Sequence, residues 1–193
     1  TCANGNPHIE DGQTSGAAAD FWHSYNDDIK LAKELGVHSL RFSIEWSRIE
    51  PADNLFDESA LDHYENVVDA LLAENIIPMI TLHHFTHPYW FDAYGGFEEE
   101  NNIHYFVRFC TKVFERLAHK VPLWVTINEP TIFMFQGYIR GVFPPGKQSI
   151  VSALHVLKNL LQAHVQVYRT LKTMPHGNEV QIGFNHQYLK FKP

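Results

Sequence analysis

Apolar residues recur three and four positions apart in four stretches of the chain, a spacing that predicts four amphipathic helices. These helices cover about residues 22–35, 57–75, 101–119 and 149–173. Gly36 directly follows the first, where a left-handed residue commonly ends a helix. Asp57 precedes the apolar stripe of the second, which makes it the predicted N-terminal cap. Asn75 is expected to end that helix.

Shorter apolar runs separate the helices, and they predict strands at residues 37–44, 76–82, 121–129 and 180–184. Strand and helix alternate without a linker, repeat or low-complexity break, which is the order of a parallel sheet built from βαβ units. Residues 1–20 are rich in Gly, Asn, Ala and Ser and are expected to form an irregular loop. The sequence therefore predicts one α/β domain over residues 1–193, with no internal boundary.

Four predicted strands fit half of a closed (β/α)8 TIM barrel, a fold of about 250 residues. An open parallel sheet is the structural alternative. The first predicted βα turn has no Gly-x-Gly-x-x-Gly segment and the chain has no P-loop, which argues against the usual nucleotide-binding open sheets. We therefore favour a partial barrel and expect further sequence at each end.

The composition of the chain bears on its binding partners and on its cellular compartment. The chain is 45% hydrophobic and 13% aromatic, enough for one sizeable core, and its net charge of −7 gives no support to a nucleic-acid or anionic-membrane partner. No apolar run approaches the ~20 residues of a membrane span, and no signal-peptide pattern opens the chain. Cys110 lies within an apolar helical pattern, so we interpret it as a buried thiol that slightly favours a reducing, cytoplasmic compartment. Localisation otherwise stays open.

The third predicted strand ends in Asn128, Glu129 and Pro130, an amide and a carboxylate placed where an extended run must stop. Pro130 biases Glu129 away from helical φ/ψ, which favours a side chain held at the carboxyl end of a strand. An ordinary strand-ending turn would give the same three residues. In the first predicted strand, alternation places Arg41, Ser43 and Glu45 on one face. A cation inside a barrel needs an anionic partner, so Arg41 implies a nearby carboxylate.

Three histidines follow the second strand, at His83, His84 and His87. A metal site is one interpretation, but adjacent residues after a strand point to opposite faces, and no second cluster completes a ligand set. A neutral histidine that bonds a polar substrate fits better. The aromatic residues behind them could stack on a sugar face, although we expect Trp90 and Phe97 to belong to the core.

The motifs resemble those of glycoside hydrolase family 1, the β-glucosidase-like retaining enzymes. The resemblance extends from about Phe21 to Phe184 and rests on four segments in the order and spacing of the family. These are Thr126-Ile127-Asn128-Glu129-Pro130, Arg41-Phe42-Ser43-Ile44-Glu45-Trp46-Ser47-Arg48-Ile49, Leu82-His83-His84-Phe85-Thr86-His87-Pro88, and a loop with Gly137-Tyr138, Gly141 and Pro145-Gly146. The match implies about strands 2 to 5 of the barrel.

The resemblance also implies roles for individual residues. Glu129 would be the general acid/base, Asn128 would bond the sugar 2-hydroxyl, and His84 would bond another hydroxyl of the same sugar. Arg41 would orient the nucleophile, and Phe85 would contact the sugar. No metal or cofactor is implied, and the expected partners are a β-glycoside substrate and the missing half of the barrel.

Two departures from the family pattern concern Phe85 and Glu45. Phe85 stands where the family usually has Trp, which keeps a stacking face but loses the indole donor. Glu45 stands where many members have Ser, and we interpret it as a residue of the barrel rim.

The largest departure is the lack of the Thr-Glu-Asn-Gly segment that carries the family's nucleophile. A retaining enzyme needs two carboxyl groups ~5–5.5 Å apart, so we expect the isolated chain to hydrolyse little or nothing. Two other hypotheses stay open: a non-catalytic sugar-binding or interaction module derived from the same barrel, and a metal-dependent hydrolase that uses the histidines.

Overall fold

A computed structural model describes residues 13–14 and 16–187 and shows a four-stranded sheet with helices between the strands. The strands are β1 (Ser39–Ser43), β2 (Ile77–His83), β3 (Leu123–Asn128) and β4 (Gln181–Asn185). The helices are α1 (Phe21–Glu34), α2 (Trp46–Ile49), α3 (Glu58–Ala73), α4 (Tyr89–Ala93), α5 (Ile103–Leu117), α6 (Pro130–Met134) and α7 (Ile150–Lys172). Most of the predicted irregular segment 1–20 lies outside the described residues; residues 16–19 form a turn and bends before α1.

The sheet has the order β1-β2-β3-β4, and every neighbouring pair is parallel. A long helix, α3, α5 or α7, makes each crossover between consecutive strands. This confirms the predicted alternation of strand and helix. Because all four strands run in one direction, their carboxyl ends meet at one edge of the sheet.

The predicted helix signals are present at the ends of α1 and α3. The Asp57 side chain accepts hydrogen bonds from the backbone N–H groups of Ser59 and Ala60 and so caps α3. Gly36, after α1, and Asn75, after α3, both have positive φ, at 74° and 57°. These residues end the helices where the sequence predicted.

The first strand is shorter than predicted, which changes the position of Glu45. The β1 ladder covers Ser39–Ser43 rather than residues 37–44, and Glu45 is the N-cap of the short helix α2. Its carboxylate accepts a hydrogen bond from the Ser47 backbone N–H, which would otherwise lack a partner at the helix start. The prediction that Glu45 shares a strand face with Arg41 and Ser43 is therefore wrong.

The segment after Glu129 is helical, although the sequence predicted a loop there. α6 begins at Pro130, whose fixed φ suits a first helical position, and a π-helical turn continues it over Phe135–Ile139. Gly137 lies in this turn because an added Cβ would stand 2.9 Å from the carbonyl oxygen of Pro144. Close packing, rather than loop flexibility, explains this glycine.

In the part of the chain that the structure describes, the helices cover one side of the sheet and leave the other open. On the covered side, six phenylalanines are at most 1% exposed: Phe91, Phe97, Phe106, Phe109, Phe114 and Phe133. On the open side, the register partners Met79, Leu123 and Gln181 line a cavity of about 230 Å³. No helix within the described part of the chain is long and apolar enough to cross a bilayer.

Candidate active site

Four of the predicted site residues lie at the carboxyl edge of the sheet. Arg41 projects from β1, His84 directly follows β2, Asn128 ends β3, and Glu129 comes next. Arg41 Nη1 donates a hydrogen bond of 3.0 Å to Asn128 Oδ1. Residues 87 positions apart are thus joined at one edge, where parallel sheets commonly build their sites.

A register shift in β3 directs Asn128 toward that edge. β3 shifts against β4 between Val125 and Asn128. Thr126, within the shift, contacts His164 on α7, with 2.8 Å between Oγ1 and Nδ1, whereas Asn128 contacts side chains from β1 and β4. Such irregularities commonly re-aim a side chain beside an active site.

Among the described residues, two side chains bond Asn128, and both bond its oxygen. Oδ1 accepts hydrogen bonds of 3.0 Å from Arg41 Nη1 and from Asn185 Nδ2. Because arginine has only donors, the Arg41 contact fixes which end of the Asn128 amide faces it. Within residues 13–14 and 16–187, no acceptor bonds the two N–H donors on Asn128 Nδ2, so they are available to a ligand.

Glu129 is held by its backbone. Its φ and ψ are 44° and 62°, in the left-handed region rather than the extended region that a following proline favours. The Glu129 N–H donates to the Asn185 carbonyl oxygen at 2.8 Å, and its own carbonyl accepts from the N–H groups of Ile132 and Phe133. A left-handed conformation costs about 1–3 kcal/mol at a non-glycine residue and is common where a site fixes a side chain.

His84 is a neutral, half-buried histidine beside two charged residues. Burial lowers its pKa, the Arg41 charge lowers it further, and the Glu129 carboxylate raises it. Both charges therefore lie close enough to act on the imidazole. His84 Nδ1 is 3.0 Å from Ser43 Oγ. When the hydroxyl donates to Nδ1, the proton of the neutral ring is on Nε2, which can then donate to a ligand.

His83 points away from His84 and into the core, in agreement with the prediction that the two adjacent side chains point to opposite faces. It is fully buried, and its ring centroid lies 5.1 Å from that of Phe97 and 5.4 Å from that of Phe133. Burial, followed by the charges of His87 and His84, holds its pKa well below 6.5. Within residues 13–14 and 16–187, no three His, Cys, Asp or Glu side chains form a group suited to a metal ion.

Arg41 does not have the carboxylate partner that the sequence analysis expected. No ion pair within the described residues includes Arg41, and its partner is the amide oxygen of Asn128. The expectation assumed a buried cation, but Arg41 is exposed on the open side of the sheet. An exposed guanidinium requires no counter-charge from the described residues.

The aromatic residues after β2 divide between core and edge. Phe97 is fully buried, and Trp90 is partly buried with its indole N–H donating to the Glu50 carbonyl at 3.0 Å, so the core prediction is confirmed for both. Phe85 has a φ of 72°, and its ring lies parallel to that of Phe133 at 6.5 Å. Cys110 is fully buried, as predicted.

Sequence reasoning missed Asn185 as a residue of this edge. Asn185 bonds Asn128 through its side chain and Glu129 through its backbone. It directly follows the predicted strand 180–184, so the signal was the same as for Asn128: a polar residue at a strand's carboxyl end. Ser43 was placed on the correct face of β1, but its contact with His84 was not foreseen.

A larger cavity, of about 480 Å³, lies at the opposite edge of the sheet. Its lining includes Ile77, Pro78, Lys120, Pro122 and Val180, near the amino ends of the strands, and none of the five predicted site residues. In a parallel α/β sheet the chemistry gathers at the carboxyl ends, so size does not identify the site here. The carboxyl edge of the sheet, called the open edge below, is therefore the better candidate.

Comparison with known proteins gives one consistent result. The sequence pattern described as Glycosyl hydrolase family 1 matches residues 2–193. The chain is 34% identical over 182 residues to Beta-glucosidase A of Acetivibrio thermocellus, covering 94% of this chain and 41% of that protein. It is 37% identical over 171 residues to a 6-phospho-beta-galactosidase of Clostridium acetobutylicum, covering 88% of this chain and 36% of that one.

Solved structures agree with the sequence comparison. A β-glucosidase from Thermotoga maritima in complex with castanospermine superposes with a TM-score of 0.93 at 29% identity, over 98% of this chain and 43% of that chain. A β-glycosidase from Pyrococcus horikoshii gives 0.80 at 41% identity, over 86% and 38%. The four-stranded sheet is thus part of an α/β barrel, and the chain spans about 40% of the length of these relatives.

Proposed function

The chain belongs to glycosyl hydrolase family 1, and on that premise we propose that it carries the acid/base half of a retaining β-glycosidase site. The substrate class is the β-glucosides and related β-glycosides, since the relatives include both a β-glucosidase and a 6-phospho-β-galactosidase. The observation that carries the proposal is the Arg41–Asn128 hydrogen bond beside Glu129 and a neutral His84.

Glu129 is the proposed general acid/base. A glycosidic oxygen is a poor leaving group until it is protonated, so a carboxylic acid must stand beside it. A second carboxylate ~5–5.5 Å away would favour the protonated form of Glu129 by like-charge repulsion. Once that second group is glycosylated its charge is lost, and Glu129 can accept a proton from the attacking water.

Asn128 and His84 are the proposed sugar-binding residues. The unused donors on Asn128 Nδ2 suit the 2-hydroxyl, and the free edge of neutral His84 suits a second hydroxyl of the same sugar. Phe85 offers an apolar ring without an N–H donor. Arg41 is proposed to orient the nucleophile, because its exposed guanidinium can pair with an incoming carboxylate as well as with Asn128.

The nucleophile itself is not encoded in these 193 residues, which contain no Glu-Asn-Gly segment. We propose that it comes from the remaining strands of the barrel, on a longer polypeptide or a complementing chain. The purified 193-residue protein is expected to show no turnover of an aryl β-glucoside. Measurable hydrolysis with retention of configuration would contradict the proposed division of the site.

The acid/base role is testable in the completed barrel through the dependence on the leaving group. Glu129→Gln should lower turnover of alkyl β-glucosides by about 10²–10⁴-fold, the usual contribution of general acid catalysis. It should lower glycosylation by a dinitrophenyl glycoside far less, because that leaving group needs no proton. Glu99→Gln, at an exposed glutamate, is the control. Equal losses on both substrates would exclude Glu129 as the acid.

A sugar-binding module is the second candidate, and the unused Asn128 donors in a chain without the nucleophile segment favour it. It predicts a monomer that binds glucose-like ligands saturably. The two proposals differ in the completed barrel: a binding module stays inactive there, whereas a glycosidase half becomes active.

A further inference from the structure

Two contacts from the end of β1 flank one strained residue at the end of β2. Ser43 Oγ lies 3.0 Å from His84 Nδ1, and Thr86 Oγ1 donates a hydrogen bond of 2.7 Å to Glu45 Oε2. Phe85, between them, has a φ of 72°. Positions 43 and 45 of one segment are thus paired with positions 84 and 86 of the other.

Glu45 is itself firmly anchored. Its other carboxylate oxygen, Oε1, accepts hydrogen bonds from the Ser47 N–H at 3.2 Å and from Ser47 Oγ at 2.7 Å. Its backbone N–H donates to the Tyr64 hydroxyl at 3.0 Å. Tyr64 belongs to the core, at 5% exposure, and burial raises its pKa to about 12, so the phenol stays protonated.

The backbone conformation of Phe85 places its ring against two other phenylalanine rings. The ring is half-buried, lies parallel to Phe133 at 6.5 Å with 15° between the planes, and approaches Phe143 at 5.7 Å. Phe133 lies on α6, and its backbone N–H bonds the Glu129 carbonyl. The ring therefore connects the contacts made by β1 to the segment that holds Glu129.

We propose that Ser43 and Glu45 are positioning residues that hold segment 84–86 so that Phe85 presents its ring to the sugar bound by His84. A non-glycine residue at positive φ costs about 1–3 kcal/mol and persists only where its surroundings fix it. The Glu45–Thr86 and Ser43–His84 contacts, one on each side, do this. The sugar part of this inference rests on the proposed function; the positioning of Phe85 does not.

The positioning is tested on the purified chain by NMR, with protonated phenylalanine in a deuterated background. Glu45→Ala and Thr86→Val should weaken the nuclear Overhauser contacts from the Phe85 ring to Phe133 and Phe143. Thr86→Ser keeps the hydroxyl and should restore them. Ser59→Ala, which removes a hydroxyl bonded to the cap residue Asp57 of another helix, should leave them unchanged. Unchanged contacts in both Glu45→Ala and Thr86→Val would overturn the inference.

The sugar part is tested by titrating the same proteins with 1-deoxynojirimycin, a glucose-shaped amine. Loss of the bond that positions Phe85 should weaken binding about five- to tenfold in Thr86→Val and Glu45→Ala, the effect of one ordinary hydrogen bond, with Thr86→Ser near wild type. Equal affinity in all variants would overturn the specificity role. Should wild type fail to bind while the Phe85 contacts respond as above, the proposed sugar site fails and the positioning by Glu45 stands.

Discussion

The two histidines at the end of β2 belong to two differently built regions of the molecule. His83 lies on the packed side, the helix-covered face with its buried phenylalanines, whereas His84 lies at the open edge with Arg41, Asn128 and Glu129. On the packed side, the fully buried carboxylate of Glu50 pairs with Arg108. At the open edge Arg41 is exposed, and no acceptor among the described residues bonds the N–H groups of the Asn128 amide. The first arrangement serves stability, and the second is the edge for which we propose binding.

Truncating a ring on the packed side should have the largest effect on stability. Phe133 is 1% exposed and Phe135, two positions on, is 44% exposed. Phe133→Ala should lower the free energy of unfolding by about 3–5 kcal/mol, because a large cavity is left among packed rings. Phe135→Ala, the matched control, should change it by less than about 0.5 kcal/mol. Urea unfolding of both variants checks this, and similar losses would contradict the division into two regions.

The second prediction compares the stability lost when an arginine is removed from the packed side, at Arg108, or from the open edge, at Arg41. Glu50 is fully buried, and Arg108 pairs with it; Trp46 Nε1 also donates to Glu50 at 2.9 Å. Arg108→Met leaves that carboxylate without its cation, and we expect a loss of about 3 kcal/mol, at the low end for a broken buried pair because Arg108 is partly exposed.

Arg41→Met, at the open edge, is the control for the arginine comparison. It removes a solvated charge and one hydrogen bond to Asn128, so it should cost less than about 1 kcal/mol. Thermal unfolding of both variants at neutral pH measures the difference. A large loss in Arg41→Met would show that this cation is a structural element rather than a binding group.

The third prediction concerns pH, through His83. Its folded-state pKa lies well below the 6.5 of an unfolded histidine, so below pH 6.5 the unfolded chain binds a proton that the folded chain does not. Stability present above pH 6.5 is therefore lost as the pH falls. His83 should contribute a slope of about 1.4 kcal/mol per pH unit, the value for one proton.

His83→Phe should remove that slope while it keeps a ring among Phe97 and Phe133. The measurement is the free energy of unfolding between pH 7.5 and pH 5, with His23→Gln, at an exposed histidine, as the control. The lowered pKa values of His63, His84 and His164 leave a residual slope in every variant. A slope in His83→Phe equal to that of wild type would assign the acid sensitivity to those other histidines.

The sequence predicted the features that depend on local pattern. The Asp57 cap, the Gly36 helix end and the polar residues after β2 and β3 follow from spacing and residue type, and the structure has each of them. The sequence did not predict that Glu45 lies outside β1. Its alternation with Arg41 and Ser43 fits a strand, whereas its role as the N-cap of α2 depends on a helix of only four residues. Asn185 and Thr86 were missed because each bonds a residue far away in the sequence, Asn128 and Glu45 respectively. Local pattern does not show which distant residues meet.

The smallest predicted effect compares two glycines. A Cβ added at Gly183, on β4, meets nothing within 4 Å, whereas one added at Gly137 would stand 2.9 Å from the Pro144 carbonyl oxygen. Gly183→Ala should raise the free energy of unfolding by about 0.5 kcal/mol, since alanine loses less backbone entropy in a strand. Gly137→Ala should lower it by about 1–3 kcal/mol through crowding. If Gly183→Ala instead costs more than Gly137→Ala, the open side of the sheet is covered in solution, and the exposure assigned to Arg41 is wrong.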